Sequence, residues 1–160
     1  MEMKASHEQA ARRLRAVLRG RAAFLGVGNE LREDDGVGPH FVSMLAPGEK
    51  TLCINCSTCP ENYAGVVSRH RPDAVVIVDA VDFGGVPGET RVLEPECMAG
   101  ACAFTHGASP ALLLDHLARL TGARILILAF QPGLARFGHP LGEHMIHACN
   151  SLARELGSLA

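Results

Sequence analysis

The chain has 160 residues, 48% of them hydrophobic and 20% charged, with a formal net charge of −2. One domain fits that length, and a chain of this size hides roughly two thirds of its unfolded surface, enough for a full core. The balanced charge excludes a basic nucleic-acid-binding domain, the apolar fraction excludes an intrinsically disordered chain, and no apolar run approaches the ~20 residues that cross a bilayer.

The first twenty residues lack the continuous apolar stretch of a signal peptide, so the expected location is the cytoplasm, with the six cysteines as thiols. Arg12, Arg13, Arg15, Arg19 and Arg21 cluster there around Leu14, Val17 and Leu18. Such a segment either docks on an acidic or membrane surface or forms an extra helix on the body. Its apolar stripe is only two turns long, which favours the extra helix.

Residues 22–28 form a short apolar run ending in glycines, followed by a polar loop from Asn29 to Asp35. Residues 36–46 read as a helix, with Pro39 tolerable only in the first turn. A second strand is expected over 51–55 and a second helix over 61–70. The continuous β-branched run at 74–79, closed by Asp79, is the pattern of a strand buried on both faces. A turn-rich passage then leads to a hairpin or edge strand at 89–93. Ser109 and Pro110 supply the N-cap and first position of a helix reaching Leu120, with Leu112, Leu113, Leu117 and Leu120 at helical spacing. A last strand covers 124–130 and a last helix 140–157. This alternation implies a three-layer α/β/α fold with a twisted, mostly parallel sheet of about five strands. Residues 1–21 stand as a basic helical extension, and 22–160 as a single α/β domain.

In open α/β sheets, ligands bind outside the carboxyl ends of the strands. Those ends carry Asp34 and Asp35 after the first strand, Asp79 and Asp82 at the third, and His106 in the loop before the Ser109 helix. Two carboxylates and an imidazole on one rim suit a borderline divalent ion such as nickel or zinc. Other uses are open to each group. Asp34 or Asp35 also serves as a cap for the next helix, Asp79 as a pin for its own loop, and His106 as a polar group at a helix start.

Rival motifs are weaker. Gly26-x-Gly28 suggests a dinucleotide loop, but Leu31 stands where the third glycine belongs and Asn55 where a ribose-binding acid belongs. Cys53-x-x-Cys56-x-x-Cys59 has thiolate-ligand spacing without a matching fourth ligand, so buried or incidental thiols are expected. His144 and His147 share one face of the last helix, where solvent-facing side chains are expected. There is no Gly-x-Ser-x-Gly elbow, no His-Glu-x-x-His and no phosphate-binding loop.

Taken together, Gly26-Val-Gly28-Asn29-x-Leu31-x-x-Asp34-Asp35-Gly36-x-Gly38, Ile77-Val-Asp79-Ala80 and Thr105-His106 resemble the hydrogenase maturation endopeptidases. Pro60-Glu61-Asn62, Pro87-Gly88-Glu89 and Gln131-Pro132 extend the resemblance toward the variant acting on formate-hydrogenlyase-type enzymes. The resemblance implies an endopeptidase that removes the C-terminal extension of a [NiFe] hydrogenase large-subunit precursor after nickel insertion, recognising the bound nickel. By the same resemblance Asp35, Asp79 and His106 are the metal-contacting and catalytic residues, with Gly28, Asn29, Asp34 and Thr105 as candidate substrate contacts. Nickel is expected to arrive with the substrate, and zinc or another divalent ion fits a purified form. The protein is expected to act as a monomer, without nucleic acid or membrane insertion. A non-catalytic protein that delivers or senses nickel through the same side chains is the alternative. The chain departs from the family in its basic first segment and in Asn55-Cys56-Ser57-Thr58-Cys59, where an acid and a small Gly-rich turn are usual.

Overall fold

The structure, a computed structural model, describes residues 1–99, 103–104 and 110–157. Helix α1 spans Glu2–Val17 and β1 Ala22–Val27, and a 3-10 turn at Glu33–Gly36 leads into α2, Val37–Met44. Strand β2 is Thr51–Ser57, and a 3-10 turn at Pro60–Tyr63 opens α3, Ala64–His70. Then come β3 (Ala74–Asp82), β4 (Thr90–Leu93), a 3-10 turn at Pro95–Ala99 and the two-residue β5 (Ala103–Phe104). Helix α4 (Pro110–Thr121), β6 (Arg124–Phe130) and α5 (Glu143–Leu156) complete the chain. The expected Ser109 cap lies outside the described residues.

Five strands lie in the order β2-β1-β3-β6-β4, and β5 pairs with the far end of β3. The first four run parallel, whereas β4 is an antiparallel edge on β6. The expected α/β fold with a mostly parallel sheet is therefore present. β3 is buried from Ala74 to Val81, as its unbroken β-branched run dictates, because helices cover both faces. On one face Phe24, Val76, Val78, Leu126, Leu128 and Phe130 meet residues of α1, α2 and α5. On the other, Leu25, Val75, Ile77, Ile125 and Ile127 meet α3 and α4.

Helix α1 belongs to the first of these layers. Its Ala10, Ala11 and Leu14 enter the core, and the buried His7 ring Nδ1 lies 3.0 Å from Thr90 Oγ1 on β4. Burial, then the nearby charge of His147, pushes the His7 pKa down. Three of the clustered arginines are spent on internal partners. Arg13 donates to the Val92 carbonyl and to Glu94 (2.8 and 2.6 Å), Arg15 to the Glu155 carbonyl, and Arg21 to the His70 carbonyl (2.8 Å). The segment is a clamp across the sheet edge. Among the described residues, no helix is long and apolar enough to cross a membrane.

Candidate active site

Strand order decides where a site can form. The chain leaves β1 toward β2 on one side, while β3 lies on the other, so the connections at their carboxyl ends diverge and open a crevice between β1 and β3. Asp35 stands in the loop after β1, and Asp79 stands near the end of β3. Both are buried. Asp35 Oδ2 accepts the Asn29 N–H at 3.2 Å, and Asp79 Oδ1 accepts the Ala80 N–H at 2.7 Å. Each carboxylate is thereby oriented by backbone of its own segment. Thr105 and His106 lie outside the described residues. Among the described residues, no three His, Cys, Asp or Glu side chains are grouped as metal ligands.

The glycines of the first loop let backbone approach backbone. Gly28 has φ of +149°, and a Cβ there would collide with the Asp35 carbonyl oxygen. A Cβ on Gly38 would collide with the carbonyls of Val27 and Val78, one from each strand flanking the crevice. Helix α2 therefore sits directly on the β1 and β3 tips. Asn29 is half-buried, and its Oδ1 accepts the Leu31 N–H at 2.9 Å, which closes the turn carrying Asp35.

Asp34, a candidate substrate contact from sequence, is wholly buried. Its Oδ2 accepts the Gly133 N–H (2.8 Å) and lies 2.7 Å from His144 Nε2, while Oδ1 accepts the Gly142 N–H (3.1 Å). The carboxylate ties the first loop to the β6–α5 connection, a positioning task. Of the two histidines expected to face solvent, His144 is partly exposed and held to Asp34 by the same contact, and His147 is exposed. Glu33 adds a second tie. Arg136 donates from Nε and Nη2 to its two oxygens, both at 2.9 Å, and from its backbone N–H at 3.1 Å. The Arg136 side-chain hydrogen bonds hold Glu33 down to about 2.

Gln131 organises the neighbouring rim. Its Oε1 accepts the N–H groups of Phe83 and Gly85 (2.9 and 3.0 Å), and its Nε2 donates to Asp82 Oδ1 at 3.0 Å. That last bond, with the Gly84 N–H, lowers the Asp82 pKa. Asp82 is thus engaged in shaping the loop beyond Asp79. Sequence alone carried no sign of the Glu33–Arg136 and Asp34–His144 ties, whose partners lie more than a hundred residues apart.

The cysteine run does not make a ligand set. Cys53 packs on the α1/α2/α5 face, Cys56 is buried on the α3/α4 face, and Cys59 is exposed. The sheet itself separates the first two. Burial, reinforced by Glu61, pushes Cys56 up to about 12, and burial also raises Cys53. Neither thiol is poised as a nucleophile.

A family model described as HycI, hydrogenase maturation protease, matches residues 38–156. Asp79 falls inside the matched span, and Asp35 lies just before it. A hydrogenase 3 maturation protease of Escherichia coli strain K12 is 31% identical over 136 residues, covering 83% of this chain and 86% of that protein. The fold is similar to the crystal structure of a [NiFe] hydrogenase maturation protease HycI from Thermococcus kodakarensis KOD1. There the TM-score is 0.77 at 29% identity, over 89% of this chain and 97% of that one. The solution structure of an endopeptidase HycI from Escherichia coli gives a TM-score of 0.75 at 30% identity, over 88% and 94%.

Proposed function

The chain belongs to the hydrogenase maturation protease family, and from that footing we propose that it removes the C-terminal extension of a [NiFe] hydrogenase large-subunit precursor once nickel is in place. The observation that carries this reading is the position of Asp35 in the loop after β1 and of Asp79 toward the end of β3, the two strands that flank the crevice. Their oxygens, with the imidazole of His106, make the mixed donor set that a borderline divalent ion accepts, and zinc suits the same set.

Nickel belongs to the substrate in this scheme, where it positions the scissile peptide and polarises its carbonyl. The chain supplies the rest. One carboxylate of the pair takes a proton from the attacking water, while the other helps to hold the substrate's metal. Attack by water is favoured over a thiol because burial raises Cys53 and Cys56. The loops of one rim carry recognition, and one copy of the chain, acting in the cytoplasm, suffices.

The test is to incubate the purified protein with nickel-loaded and nickel-free precursor and to weigh the products. Only the loaded precursor is expected to shorten. Asp79→Asn keeps the oxygen that accepts the Ala80 N–H and should process about a hundredfold more slowly or worse, as loss of a general base or metal donor requires. Equal cleavage of both precursors, or of neither, overturns the reading.

A further inference from the structure

We infer that Leu31, Leu134 and Phe137 form a docking platform beside the crevice for an apolar, uncharged segment of the protein substrate; the inference rests on the proteolytic reading above. These side chains are 62%, 56% and 74% exposed, on two loops joined backbone to backbone. The Gly138 N–H donates to the Leu31 carbonyl (2.8 Å), the Asp34 N–H to the Leu134 carbonyl (3.2 Å) and the Glu33 N–H to the His139 carbonyl (3.1 Å). The Glu33–Arg136 and Asp34–His144 pairs lock the same two loops. Loops pinned this way cannot fold their leucines and phenylalanine inward, so the apolar surface stays in water until a partner covers it.

Exposure alone does not single out this place. Leu112 on α4 is 73% exposed, and isolated apolar side chains of that kind are ordinary. The platform differs in joining three such residues on bonded loops, one of which carries Asp35 four residues after Leu31. Leu31 therefore shares its loop with one of the two carboxylates proposed to act on the substrate. Charge narrows the occupant further. Glu33 and Asp34 are paired with Arg136 and His144, and the exposed groups at the margin are Glu30 and Arg32, one of each sign, with the imidazole of His139. A neutral platform offers a charged segment nothing and an apolar one burial.

The test compares the wild type, the double variant Leu31→Ser/Phe137→Ser and the control Leu112→Ser. All three replaced side chains are solvated, so none supports the core. Processing of nickel-loaded precursor gives KM and kcat, titration gives binding of the precursor directly, and sedimentation of each protein alone gives its association state. The double variant is expected to raise KM and weaken binding about tenfold, the loss typical of truncated interface anchors. Its kcat should stay within about twofold, with the control and all sedimentation profiles unchanged. Unaltered binding in the double variant, an equal loss in Leu112→Ser, or no binding to the wild type overturns the inference. So does a wild type that self-associates where the double variant does not, which would assign the platform to a second copy of the chain. Failure of the wild type to cleave a precursor that it binds through the platform would instead count against the proteolytic reading alone.

Discussion

His144 Nε2 lies 2.7 Å from Asp34 Oδ2, joining residues 110 positions apart in the chain. Asp34 is wholly buried and also accepts two backbone N–H groups, from Gly133 and Gly142. Its removal strands three donors at once, whereas loss of the half-exposed imidazole strands one acceptor. Asp34→Ala should therefore cost about 3 kcal/mol or more in urea unfolding, and His144→Ala about 1 kcal/mol. Equal costs would show that the backbone bonds contribute nothing.

Glu33 is held down to about 2 by Arg136, against an ordinary value of 4.5. A carboxylate depressed in the folded state stabilises fully above its unfolded pKa, and that contribution fades as pH falls from about 4.5 toward 2. The stability gap between wild type and Glu33→Gln should thus be constant from pH 7 to 5 and shrink below pH 4.5. Urea midpoints at a series of pH values measure it.

Gly38 is the contact point of α2 with both strands that flank the crevice. Gly38→Ala drives a methyl into the carbonyls of Val27 and Val78. Neither carbonyl can yield without shifting a central strand, so the variant should lose about 3 kcal/mol and displace Asp35 relative to Asp79. Gly84→Ala meets open space at φ of +78° and should cost only about 1 kcal/mol. Calorimetric melting of the two variants gives the comparison.

Thiol chemistry divides by burial. Cys56 and Cys149 are buried and pushed up to about 12, whereas Cys59 and Cys97 are exposed. Iodoacetamide at pH 8 should modify Cys59 and Cys97 in the native protein and reach Cys56 and Cys149 only on unfolding, as peptide mass mapping will show. Cys59→Ser should leave both melting and precursor processing unchanged.

The central strands were legible in the sequence because burial on both faces writes an unbroken apolar run, seen at 74–79 and 124–130. The edge strand β4 was legible because turns bracket it. The two residues of β5 carry no period and could not be read. At the candidate site, Asp34, Asp35, Asp79 and Asp82 stood out alike as acids near strand ends, the place where a doubly wound sheet exposes its ligand crevice, and the family resemblance alone selected Asp35 and Asp79. Asp34 looked the same from sequence, and its bonds to Gly133, Gly142 and His144 show the ambiguity of a neighbouring acid in a loop. What could not be read is pairing at a distance. Nothing local marks Arg136 for Glu33, His144 for Asp34, or Arg13 and Arg15 of α1 for the carbonyls of Val92 and Glu155.

The packing of α1 against α5 has a consequence for the order of folding. Arg15 donates to the carbonyl of Glu155, 140 residues later, and Leu14 shares a core with Leu152 and Leu156. During synthesis α1 is made long before α5, so its contacts with Leu152, Glu155 and Leu156 form only after α5 emerges, whereas its partners on β4 are made earlier. Until then the core around Leu14 is incomplete, and closure of the long loop between α1 and α5 is deferred. The β4 edge waits with it, since α1 is what shields that strand. From the pairing of β4 with β6 until α1 is locked in place by α5, the sheet edge is incompletely shielded, and a chaperone covering that edge would protect the chain over that interval.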